Sequence, residues 1–256
     1  MLEDTLRRRL AEREILLMTH VVLGDPSFED SLAVVASMVD AGVDLMELQI
    51  PFSEPIADGP VILRANQRSL RAGARVERCL RFAEAVTGRF DIPFVVMSYY
   101  NILFRFGVGR FAKALSSAGV RGVIVPDLPP EEAGEHLEAT ADAGLDPIFI
   151  FSPNTTDARM AAIAARARGF VYCVARRGVT GAETDFSAAL DAYLARCRAA
   201  TTLPLALGFG VKARSDVDAL RGKADIAVIG TESLRVLQDR GVAGVRDFIG
   251  GLRPGD

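Results

Sequence analysis

The chain has 256 residues, half of them hydrophobic, with 30 basic against 33 acidic residues and a net charge of -3. That is enough to bury a sizeable core in one large domain or two small ones, and neither a basic run nor an acidic tail marks a polyanion-binding protein. The first twelve residues, MLEDTLRRRLAE, mix both charges without the apolar centre of a signal peptide, and no apolar run approaches a membrane span, so a cytoplasmic location is expected.

Short apolar runs alternate with amphipathic stretches along the whole chain. The pattern predicts a leading helix over Leu2–Ala11, a strand over Leu16–Val22, a helix over Ser27–Ala41 and a strand over Leu45–Gln49. Helices at Pro60–Ala72 and Val76–Val86 follow, then a strand at Phe94–Ser98, a helix at Gly109–Ala118, a strand at Gly122–Pro126 and a helix at Glu131–Ala143. The remainder reads as strand Pro147–Phe151, helix Asp157–Arg166, strand Phe170–Val174, helix Phe186–Ala199, strand Leu205–Gly208, helix Ser215–Leu220 and strand Ile226–Ile229. A helix over Thr231–Val242 and a turn near Val245–Gly250 close the chain.

A weak repeat marks the joints between helix and strand: DAGVDLM from Asp40, SAGVRGVI from Ser117 and DAGLDPI from Asp142. Gly42, Gly119 and Gly144 each suit a left-handed residue just past a helix. Eight such units in about 250 residues are what a (β/α)8 TIM barrel requires, so the expectation is α/β, one barrel domain over residues 1–256 with an extra N-terminal helix. A doubly wound open sheet is the alternative, disfavoured because no GxGxxG follows the first strand.

The inventory narrows the chemistry. His20 and His136 are the only histidines, so a His-rich metal site cannot be built, and Cys79, Cys173 and Cys197 lack metal-ligand or CxxC spacing. Of the three lysines, Lys113 falls in a helix and Lys223 at a helix end, which leaves Lys212 alone for Schiff-base chemistry. Bond breaking should therefore depend on carboxylates.

Two carboxylates stand out. In the strand Leu45–Gln49, alternation places Leu45, Glu47 and Gln49 on one side, so Glu47 is an acid among apolar residues and costly to ionise without a partner. Asp58 lies in the polar segment Ala57–Gly59 and should stay ionised more readily. Together they form a candidate acid/base pair. The competing readings are an ion pair with an arginine for Glu47 and capping of the helix near Pro60 for Asp58.

Active sites in this fold gather at the C-terminal ends of the strands. Those ends carry His20, Tyr99 with Asn101, Asp127, Phe151, Tyr172 with Arg176, Phe209 and Gly230, a set that suits a flat, largely apolar ligand with a polar end. Three late glycine-bearing loops, Arg177–Gly181, Gly208–Val211 and Ile229–Ser233, could bring backbone N–H groups to a phosphate at the positive end of the last helix; tight turns alone are the other reading. Glu232 would repel a phosphate and is expected to point away.

ELQIPFSEPIADGP, from Glu47, closely resembles the ELGxPFSDPxADGP signature of the tryptophan synthase alpha chain family. LGDP from Leu23, YYN from Tyr99, VPDLP from Val125, PIFI from Pro147, RGVTGAE from Arg177 and GFG from Gly208 follow in family order. The resemblance implies a lyase of tryptophan biosynthesis that splits indole-3-glycerol phosphate into indole and glyceraldehyde 3-phosphate without metal or Schiff base. It implies Glu47 as general acid/base, Asp58 on the indole N–H, and His20, Tyr99, Asp127, Tyr172 and Phe209 around the substrate. It further implies a lid over Arg176–Gly181 whose Thr180 reaches Asp58, and phosphate on Gly181, Gly210, Gly230 and Thr231. No cofactor is implied in this chain; pyridoxal phosphate belongs to a beta chain that the loop Pro51–Asp58 would meet, in an alpha2-beta2 tetramer. Gln49 stands where the signature has Gly, Glu54 where it has Asp, and His20 where an aromatic residue is usual; Arg177 and Glu232 replace small residues. A stand-alone lyase and a non-catalytic regulatory paralogue are the alternative functions.

Overall fold

Apolar runs that alternate sides need cover on both faces, which a closed sheet wrapped in helices provides. In a computed structural model, which describes residues 1–175 and 186–253, eight parallel strands pair in sequence order and the first pairs with the last. The elements are α1 (Leu2–Leu10), β1 (Leu16–Val22), α2 (Phe28–Asp40), β2 (Leu45–Gln49), α3 (Pro60–Arg71), α4 (Val76–Thr87), β3 (Phe94–Met97), α5 (Tyr100–Phe106), α6 (Val108–Ser117) and β4 (Gly122–Ile124). They continue with α7 (Gly134–Ala143), β5 (Asp146–Phe151), α8 (Asp157–Ala164), β6 (Val171–Val174), α9 (Phe186–Ala200), β7 (Leu205–Gly208), α10 (Arg214–Asp218), β8 (Ile226–Ile229) and α11 (Thr231–Leu252). The fold is the expected TIM barrel with its added N-terminal helix.

The alternation read from the sequence sorts the side chains into two layers. Leu16, Met18, Leu45, Val95, Ile148, Ala206 and Val228 pack inside the barrel, whereas Leu17, Met46, Leu48 and Val96 pack outward against the helices. Gly42, Gly119 and Gly144 have φ of +87°, +76° and +68°, so the repeated helix-to-strand joint uses the left-handed residue it requires.

Helix α1 closes the bottom of the barrel with Leu2 and Leu6, both buried, and each such leucine contributes roughly 1.5–3 kcal/mol. Its first N–H donates to Asp146 at 3.0 Å. Asp44, at the start of β2, accepts from Leu17 N–H at 2.9 Å and pairs with Arg9 and Arg13, tying α1 and the following segment to the sheet.

Three differences from the sequence reading concern helices. Helix α5 was not foreseen: its sequence YNILFRF carries no clear apolar stripe and its start at Tyr99 has no side-chain cap. Helix α7 begins at Gly134, three residues later than the acidic run suggested. Helix α11 runs on to Leu252, broken at Gly241, whose φ of +67° interrupts the helix where the sequence suggested a separate turn. On α7, burial pushes the His136 imidazole down to about 4, so it is a neutral packing residue at neutral pH. All three cysteines are buried and free.

Candidate active site

Glu47 points into the barrel because β2 alternates, and the parallel register of β1 and β2 sets His20 directly across from it. His20 Nδ1 lies 3.1 Å from Glu47 Oε1. The partner is thus a histidine, and an arginine pair is set aside. Glu47 is 3% and His20 5% exposed, yet Glu47 Oε2 and His20 Nε2 have no hydrogen-bond partner among the described residues. Buried polar atoms left open in this way are uncommon in a stable core and mark a place where a ligand can supply the missing bonds.

Asp58 is positioned by a loop with several anchors. Phe52 N–H donates to Asn66 at 2.8 Å, the Phe52 ring stacks on Tyr99 at 5.1 Å, and Ala57 N–H donates to the Tyr99 hydroxyl at 3.1 Å. Gln49 Nε2 then donates to Asp58 Oδ2 at 2.6 Å. The helix after the loop starts at Gly59 without a side-chain cap, so Asp58 is not its cap. Gln49 shares Glu47's side of β2, yet its amide holds the other acid, and Gln49 Oε1 is left without a partner among the described residues.

Burial and charge act together on these groups. For His20, burial opposes protonation, but the adjoining Glu47 carboxylate, then Asp58 and Gln49, outweigh it and raise the imidazole above its ordinary value. Burial also pushes the Asp58 carboxyl up, against the pull of the Gln49 hydrogen bond and the His20 charge. Asp58 is therefore less freely ionised than its place in the segment Ala57–Gly59 suggested. Tyr172, on β6, is raised well above 10 by burial and by the charges of Glu47 and Asp58, so it faces both carboxylates as a neutral phenol.

The other expected residues fall as follows. Tyr99 is wholly buried beneath the β2 loop, and Asp127 accepts from Tyr100 N–H at 2.9 Å, where it steadies the first turn of α5. Phe209 is buried just past β7, in the hydrophobic cluster that also holds Leu205, Leu207 and Phe151. Gly210 has φ of +88°, while Gly230 and Thr231 open α11, with Gly230 against the His20 side chain. Glu232 pairs with Arg235 at 3.1 Å. Thr180, Gly181 and the segment Arg176–Gly181 lie outside the described residues. Among the described residues, no three His, Cys, Asp or Glu side chains gather to hold a metal ion, and no helix is long and apolar enough to cross a membrane.

A sequence profile described as "Tryptophan synthase alpha chain" matches residues 6–246. The chain belongs to the tryptophan synthase alpha chain family. The alpha chain of Syntrophotalea carbinolica is 58% identical over 253 residues, covering 99% of this chain and all of that one. Among solved structures, an aminoacrylate-bound tryptophan synthase from M. tuberculosis superposes with a TM-score of 0.90 at 33% identity, over 98% of this chain and 97% of that one. A tryptophan synthase complex from Pyrococcus furiosus gives 0.84 at 29% identity, over 93% and 97%. Within this alpha-chain fold, the sequence pointed to Glu47, Asp58 and His20 as separate site residues. It did not show that His20 faces Glu47 across the strand pair, nor that Gln49 and Asn66 set the position of Asp58; strand register and loop hydrogen bonds make those connections.

Proposed function

We propose that the chain cleaves indole-3-glycerol phosphate by a retro-aldol reaction in which Glu47 is the general acid/base and Asp58 the electrostatic partner. The observation that carries the reading is the open Glu47 Oε2, buried at the barrel mouth with no partner among the described residues. Glu47 gives a proton to the indole ring carbon that bears the glycerol chain. Positive charge then develops on the ring nitrogen, whose N–H donates to Asp58, already oriented by Gln49. Glu47 takes the proton of the adjoining glycerol hydroxyl; the O–H electrons form the aldehyde C=O, the carbon–carbon bond breaks, and its electrons return to the ring. The products are indole and glyceraldehyde 3-phosphate.

Tyr172 suits the flank of a flat ring, with Tyr99, Asp127 and Phe209 supporting the pocket walls. Backbone N–H groups at Gly210, Gly230 and Thr231, with Gly181, suit the phosphate at the positive end of α11. Thr180 would close over Asp58. No step calls for a metal or a cofactor in this chain. A beta chain carrying pyridoxal phosphate is the proposed partner in a cytoplasmic alpha2-beta2 assembly, consistent with the exposed Ile56 and Phe104 and with clefts of about 230 Å3, lined by Pro51, Phe52 and Ile102, and about 260 Å3, lined by Asn101, Arg105 and Phe106.

Incubation of the purified chain with indole-3-glycerol phosphate, with and without a beta chain, tests the reading. Equal amounts of indole and triose phosphate are expected. Product only in the presence of the beta chain identifies an alpha subunit, equal turnover alone a stand-alone lyase, and no product in either case removes both enzymatic readings.

A further inference from the structure

His20 approaches one oxygen of Glu47 and leaves the other open. The contact is fixed by the backbone, since the two residues are register partners on neighbouring parallel strands. Both are nearly free of solvent, so water cannot easily replace either partner. Groups facing the pair include Asp58 from the loop after β2 and the neutral phenol of Tyr172 from β6, and after β8 Gly230 places backbone against the His20 side chain. An imidazole held against a carboxylate in such surroundings keeps a proton to higher pH than a carboxyl group alone.

We propose that His20 and Glu47 work as one proton-carrying unit, in which His20 positions Glu47 and holds its proton between the two transfers of the cleavage. The inference rests on the lyase reading. The resting pair carries one proton on the imidazole, with Glu47 as carboxylate. For protonation of the ring carbon, the Nδ1 proton passes to Glu47, whose carboxyl group turns that same proton from the His20 side to the substrate side and delivers it, leaving neutral imidazole and carboxylate. When the glycerol hydroxyl is deprotonated, Glu47 takes that proton on its open side and passes it back to Nδ1 by the reverse turn. The unit begins and ends with one proton: the first becomes the new C–H of indole, and the hydroxyl proton replaces it. The raised affinity of His20 for its proton is what keeps the unit loaded at neutral pH.

The test is the pH profile of kcat/KM for indole release by wild type, His20→Phe and His20→Asn, each checked for folding by thermal melting. His20→Asn keeps an N–H donor near the Nδ1 position but cannot store a proton. In both variants the basic limb of the profile should move to lower pH by about one unit or more, giving roughly a tenfold greater loss at pH 8 than at pH 6. His20→Asn should retain more activity than His20→Phe at its acidic optimum, because Glu47 is still oriented. A basic limb that stays in place in the folded variants, with activity unchanged or lowered equally at every pH, overturns the proposal while leaving the lyase intact. Absence of indole release by wild type removes the lyase reading and the proposal with it.

Discussion

The two ends of the barrel treat their polar groups in opposite ways. At the bottom, Asp44, Asp146 and Asp225 each accept a backbone N–H, from Leu17, Leu2 and Leu205 at 2.9, 3.0 and 2.7 Å, and Asp44 and Asp225 also pair with arginines. At the top, Glu47 Oε2, His20 Nε2 and Gln49 Oε1 have no partner among the described residues. Committed carboxylates hold elements together, and their bonding is complete without a ligand. Open ones cost stability unless something else completes them, which is how a binding site differs from a structural network.

Substitutions at each end sharpen that contrast. Asp58→Asn should lower kcat for indole release by about 10²-fold, since Asn still accepts from Gln49 but carries no charge toward the ring nitrogen. Its melting temperature should stay near that of wild type; a large drop in melting temperature with normal turnover would make Asp58 a structural residue. Asp44→Ala should do the reverse. It strands the buried Leu17 N–H and releases Arg9 and Arg13, so chemical denaturation should show a loss of about 1–3 kcal/mol, with kcat within twofold of wild type. Lost turnover in a stable Asp44→Ala protein would erase the distinction between the two ends.

Much of the fold was legible in the sequence. The eight apolar runs marked the strands to within two residues at each end, because strands buried on both faces are read from β-branched and aromatic runs bounded by turns. Glu47 announced itself as an acid in such a run, and the signature around it gave the family. Helix α5 escaped because apolar and aromatic residues fill five of its seven positions and hide a helical period. The His20–Glu47 contact escaped for another reason: the residues are distant in sequence, and only the register of β1 against β2 makes them neighbours. Likewise, nothing local in Gln49 indicates that its amide reaches past Glu47 to Asp58, because the path of the β2 loop depends on Asn66 and Tyr99.

Turnover of indole-3-glycerol phosphate by Glu47→Gln, measured beside wild type at matched stability, asks most directly whether the open end of the barrel does the chemistry. Glutamine fills the same space and can still meet His20, but it cannot carry a proton to carbon or take one from a hydroxyl. A fall in kcat of about 10²–10⁴-fold with an unchanged melting temperature is expected. Near-normal indole release by the folded variant would contradict the assignment of Glu47 as the acid/base group.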